Sequence, residues 1–225
     1  MSRTVTWGLC IVGLSALALT ACGDDKSDGS AAAPAKASTT TTTTVLTAPP
    51  TTVLGPPESY ALPPSWPTDP ALADPSTADL TYVQHVVDAN DAVDGLALKV
   101  MAATESVNDE VQAFIAEYAY NEEMVGLEID ASQRYLDTYP GQILPGRSRH
   151  IVHDVASISP RCFAARTTLI QSDVRAAEKP RETFVWMGIP PDSRSTDINP
   201  SPWRLLGYGQ DLTDIASRCS IEVDG

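Results

Sequence analysis

The chain has 225 residues and carries 29 acidic against 15 basic side chains, a net charge of −14. That balance repels phosphate backbones and anionic headgroups, so no nucleic-acid partner is expected and a membrane would have to be reached through lipid rather than charge. Three histidines and four cysteines leave little material for a metal centre.

The N-terminus is organised for export. Arg3 precedes an apolar run, Leu9 to Ala18, and the segment Leu19-Thr20-Ala21-Cys22 follows. A charged start, a short apolar core and small residues have the layout of a secretory signal. The run is shorter than the roughly 20 apolar residues of a spanning helix. With Cys22 at its end, it resembles a bacterial lipoprotein signal with its lipobox. The resemblance implies that residues 1–21 are removed and that Cys22 carries lipid, palmitate included. The chain would then sit at the outer face of the cytoplasmic membrane, in the cell envelope. A diacylglyceryl thioether supplies two chains, enough for firm anchoring.

Removal of the signal takes away Cys10, and lipid occupies Cys22. Cys162 and Cys219 remain, and in an exported chain a disulfide between them is the simplest expectation. They lie 57 positions apart, a closure valued at about 4 kcal/mol. Two buried free thiols are the alternative.

Residues 22–76 are rich in Thr, Pro, Ala and Ser and poor in large apolar residues. Burial there cannot offset chain entropy, so a disordered tether is expected. The run Thr39–Thr44 resembles O-mannosylated stretches of envelope lipoproteins; a plain solvated spacer is the other reading.

The folded domain is expected over 77–225. Tyr82, Val86, Ala89, Val93, Leu96, Val100 and Ala103 recur at alternating steps of four and three. This predicts an amphipathic helix of about six turns, capped by Ser76 or Thr77. A second helix follows Asn108, with Val111, Phe114, Ile115 and Tyr118 on one face. A third starts at Asn121 and runs to the stop at Pro140-Gly141. Beyond Gly146 the pattern changes to strands: Arg149–Ile158, Arg161–Arg175 after a turn at Ser159-Pro160, Thr183–Ile189 and Trp203–Gly209. Three helices followed by four strands make an α+β domain. Charge divides in the same place. Residues 79–137 hold thirteen acids and two bases, and residues 138–225 hold ten of each.

A long helix, two shorter ones and then a curved antiparallel sheet resemble the nuclear transport factor 2-like superfamily, which includes the SnoaL-like polyketide cyclases. The segments Ser159-Pro160-Arg161-Cys162-Phe163 and Asn199-Pro200-Ser201-Pro202-Trp203, with Tyr82-Val83 and the late Cys219, are similar to a family of exported actinobacterial lipoproteins to which no activity is attached. The resemblance covers roughly residues 60–225. It implies a sheet curled into a cone around the first helix, whose mouth is a pocket, an active site or solid core.

No catalytic set is legible. Gly-x-Ser-x-Gly, P-loop, dinucleotide, HExxH and CxxC patterns are absent, and neither cofactor nor metal is expected. His150 and His153 should face opposite sides of a strand and cannot share a metal. His85 could pair with Asp88 one turn away. Asp88, Asp91 and Asp94 fall off the first helix's apolar stripe and read as a solvated face. Arg147, Arg149, Arg161, Arg166 and Arg175 are expected to pair with the acidic helices. Trp186, Trp203 and His85 are the candidate binding residues. The favoured expectation is a non-catalytic module that binds an envelope protein or a small apolar ligand. The alternative is a SnoaL-like enzyme using general acid/base chemistry in the cone.

Overall fold

The computed structural model describes residues 60–174, 178–193 and 195–210. The chain divides into two units, 1–47 and 48–225, and every described residue belongs to the second. Cys22, Cys219 and the tether up to residue 59 lie outside the described residues.

Three helices precede four strands. Helix α1 spans Leu80–Thr104, α2 Asp109–Tyr118 and α3 Glu122–Thr138. Each begins at a side-chain cap. Asp79 accepts from the N–H groups of Thr81 and Tyr82, Asn108 from Val111 and Asn121 from Met124, which satisfies backbone donors that have no partner inside the helix. The first cap is therefore Asp79. Ser76 and Thr77 belong to a separate 3-10 turn, Pro75–Thr77, capped by Asp74.

Strands β1 (Arg149–Ser159), β2 (Cys162–Ile170), β3 (Arg181–Gly188) and β4 (Arg204–Gly209) form one antiparallel sheet in the order β1-β2-β3-β4. Phe163, Ala165 and Val185 turn inward to the helices. Cys162, Ala164 and Trp186 turn outward and pack with Leu206. Two register breaks interrupt β1, between Val152 and Asp154 and between Val155 and Ser157. Each inserts a residue, so the inward positions His150, Val152, Val155 and Ile158 are spaced two, three and three apart.

The open edge of β1 is covered by side chains rather than by a strand. Gln84 donates from Nε2 to the His150 carbonyl at 2.8 Å and accepts the Val152 N–H at 2.8 Å. Asp91 Oδ2 accepts the His150 N–H at 2.7 Å. The indole of Trp66 donates to the Ser159 carbonyl at 3.2 Å. Edge groups that would otherwise template another chain are thereby occupied.

Three expectations need correcting. First, the domain starts before residue 77. Tyr60 and Trp66 belong to the core, Tyr82 Oη donates to the Tyr60 carbonyl, and Trp66 packs edge-on against Tyr82, Phe163 and Trp203. Two aromatic anchors suffice where the average composition of the segment is that of a linker. Second, α1 is buried along two faces, not one stripe. Val83, Val87, Asp91, Asp94, Leu98 and Met101 follow one another at steps of four and three and form a second row, so Asp91 is buried rather than solvated. Third, Arg149, Arg161 and Arg166 pair within the C-terminal half rather than with the acidic helices, and Arg175 lies outside the described residues. Arg166 pairs with Asp154 at 2.6 Å and Glu182 at 3.6 Å, Arg149 with Asp173 at 3.5 Å, and Arg161 donates to the Ile189 carbonyl.

Candidate functional site

The second row of α1 leads to a cleft of about 240 Å³ between α1, α3 and the inner face of the sheet. Asp94 comes from α1, Glu128 and Tyr135 from α3, His150 from β1, Arg181 from β3 and Tyr208 from β4. Leu98, Met101 and Leu169 supply apolar wall. Placement is tight beside Asp94. A Cβ on Gly95 would stand 2.7 Å from that of Arg147, so the glycine lets the segment before β1 lie against the helix. Ser148 thereby reaches Asp94 with a hydrogen bond.

His150 is held by a hydrogen bond and a stacked ring. It is 3% exposed. Its Nδ1 lies 2.8 Å from Asp91 Oδ1. With Asp91 Oδ1 as the acceptor of this bond, Nδ1 carries the hydrogen and Nε2 is the acceptor nitrogen of that tautomer. The ring stacks on Tyr208, with centroids 5.4 Å apart and planes at 12°. Nε2 is buried and has no partner. An unmade hydrogen bond at a buried polar atom costs about 1–3 kcal/mol, which a ligand donor would recover.

Two carboxyls share the space. Burial, then repulsion from Glu128 and Asp91, pushes Asp94 up to about 7. Burial also raises Glu128, opposed by a hydrogen bond from Tyr118, whose hydroxyl donates to Oε2 at 3.1 Å. Burial pushes the Tyr118 phenol well above its ordinary value, and the charges of Asp94 and Glu128 add to the shift. The arrangement thus holds an oriented imidazole, a carboxyl poised between its two states near neutral pH and a second carboxyl fixed by a phenol.

The residues expected at the site fare unequally. His85 does not line the cleft, and Asp88, one turn on, accepts from Gln84 Nε2 at 3.0 Å. Trp203 is fully buried at 0% exposure, and Trp186 is buried on the opposite face of the sheet, so neither presents a contact surface. His153 is exposed and bonded to Thr168 at 2.7 Å, away from His150 as its spacing required. Cys162 is disulfide-bonded. Among the described residues no three His, Cys, Asp or Glu side chains converge to hold a metal ion, and no helix is long and apolar enough to cross a membrane. Sequence reading missed Asp94, Glu128 and the inward role of His150. One signal was present: an apolar helical row interrupted by Asp91 and Asp94. Acids inside such a row are buried, and buried acids need partners.

No protein-family model, no curated protein and no solved structure matches the chain.

Proposed function

We propose that this chain is a lipid-anchored protein of the cell envelope, held at the membrane through Cys22, whose domain binds a small polar molecule in the cleft. One observation carries the reading: Nε2 of His150 is buried, unpartnered and held in orientation by Asp91 at the wall of a cavity. Such a group fits a site awaiting a hydrogen-bonding ligand. The polar lining favours a polar molecule over the apolar ligand or docked protein that the sequence suggested.

The nuclear transport factor 2-like reading belongs to the same proposal. Helix order and sheet topology agree with it. So does the stacking of His150 on Tyr208, because those residues stand on the two edge strands. In a flat four-stranded sheet the edges are about 14 Å apart, so rings at 5.4 Å require a strongly curled inner face.

Full-length protein taken from membranes in mild detergent should release a small molecule in native mass spectrometry. H150Q should release none while keeping its melting temperature within a few degrees. Release of the same molecule from both proteins overturns the reading. Cys22→Ala should leave the protein in the soluble fraction or as an unprocessed precursor.

A second reading has its own support. An imidazole oriented by a carboxylate, beside a carboxyl that titrates near 7, is the equipment of general acid/base catalysis. Fresh protein incubated with the released molecule decides between them. A new mass that forms with wild type and not with H150Q marks an enzyme, and an unchanged mass marks a binding module.

A further inference from the structure

The charge of the cleft narrows the chemistry of its ligand, on the premise that the cleft is the binding site. Asp94 and Glu128 face the cavity from two helices, and neither is in an ion pair among the described residues. Their bonded partners are a hydroxyl and a phenol, Ser148 and Tyr118. Two adjacent carboxyls with neutral partners repel each other, and burial strengthens that repulsion. Arg181, the guanidinium that lines the cavity, is an exposed residue at the start of β3, and the charge of His150 only partly opposes the upward push on Asp94. The same cavity is lined by His150, whose buried Nε2 has no partner and in the acceptor tautomer takes a donor. The flanking walls include Tyr135 and Tyr208, and aromatic faces attract cations.

We infer that the cleft takes a small organic cation, a primary ammonium or amidinium on a compact apolar body, donating one N–H to His150 Nε2 and setting its charge against Asp94 and Glu128. An ammonium group has three donors and no acceptor, which suits His150 Nε2 as an acceptor and the carboxyl oxygens of Asp94 and Glu128. The apolar wall of Leu98, Met101 and Leu169 accounts for the body. A cavity of about 240 Å³ restricts it to the size of a single substituted ring. A bare divalent ion is disfavoured, since no three ligating side chains converge among the described residues.

The pH dependence follows from the groups around the site: Asp91 and Asp94 on α1, Tyr118 on α2, Glu128 on α3, His150 on β1, Arg181 on β3 and Tyr208 on β4. A bound cation favours ionised Asp94, so binding should release a proton below the point where Asp94 titrates, about 7, and affinity should rise from pH 5.5 to 8.

A matched set on one skeleton tests the inference: benzylamine, benzyl alcohol and benzoate, titrated calorimetrically into the full-length protein in detergent. Benzylamine should bind at least about tenfold more tightly than the alcohol, the value of one charge-assisted hydrogen bond, and benzoate should not bind. D94N combined with E128Q should abolish that preference and H150Q should weaken all binding, with each variant's melting transition recorded to show that it is folded. Equal or tighter binding of the alcohol or of benzoate, lost in H150Q, overturns the cation and leaves the cleft standing. Tighter binding of Ca²⁺ than of benzylamine also overturns it. Binding of none of the three overturns both the cation and the cleft.

Discussion

Two buried polar clusters of this domain invite comparison. One surrounds Asn199. Its Nδ2 donates to the Glu117 carbonyl at 2.9 Å and to Asn90 Oδ1 at 3.3 Å, and its Oδ1 accepts the Ser201 N–H. Ser201 Oγ accepts the Trp203 N–H, the Trp203 indole donates to Tyr82 at 2.7 Å, and the Arg204 guanidinium donates to the Ser201 carbonyl. The other surrounds His150, where Nε2 has no partner and two carboxyls crowd each other. Both clusters lie beside α1, through Asn90 and Asp91, which are adjacent in sequence. The first is closed and satisfied, so it fixes the loop before β4 and specifies the fold. The second is open and unsatisfied, so it is the better site for a ligand.

The comparison fails if the closed cluster proves dispensable. Trp203→Ala removes a ring packed against Trp66 and Phe163 and should cost about 3–5 kcal/mol, measured as loss of the cooperative denaturant transition. Trp66→Ala should cost a similar amount. A chain starting at residue 77 lacks both Tyr60 and Trp66, and its melting temperature should drop sharply or its transition vanish. Next in size is Asn199→Ala. It strands Asn90 and the Glu117 carbonyl and should cost about 2–3 kcal/mol by equilibrium unfolding.

The open cluster should respond in the opposite sense. Asp94 has its folded value raised from 3.8 to about 7. Its protonated form is favoured in the fold, so its contribution to stability is full below about 3.8 and is lost as pH rises through about 7. Asp94→Asn should flatten that part of the stability-versus-pH curve. Asn imitates the protonated carboxyl, so the variant should match the parent most closely at low pH and exceed it in stability at pH 7, read from urea midpoints at several pH values. A parent curve that rises between pH 4 and 7, unaltered by the substitution, would count against the assignment. The smallest effect belongs to neither cluster. Arg166→Ala breaks an exposed pair with Asp154 and should cost less than about 1 kcal/mol, a baseline for the other variants on the same melting assay.

The sequence by itself determined the elements. Asn108 and Asn121 announce two helix starts, and Ser159-Pro160 announces the β1–β2 turn. Strand positions are legible because local propensity and the period of the pattern agree with the tertiary outcome. Trp203 was legible as a strand-associated aromatic, and the separation of His150 from His153 followed from pleating. What only the tertiary structure decided is who faces whom. A single stripe drawn along α1 left Asp91 and Asp94 in solvent, because periodicity does not reveal that a helix is covered on two sides. Trp66 looked like part of a linker, because composition averages over a segment while two buried rings are enough to anchor it. The cleft joins residues from α1, α3, β1, β3 and β4, as far apart in sequence as Asp94 and Tyr208. Contacts at that separation arise from the packing of helices on a curled sheet, which no local pattern encodes.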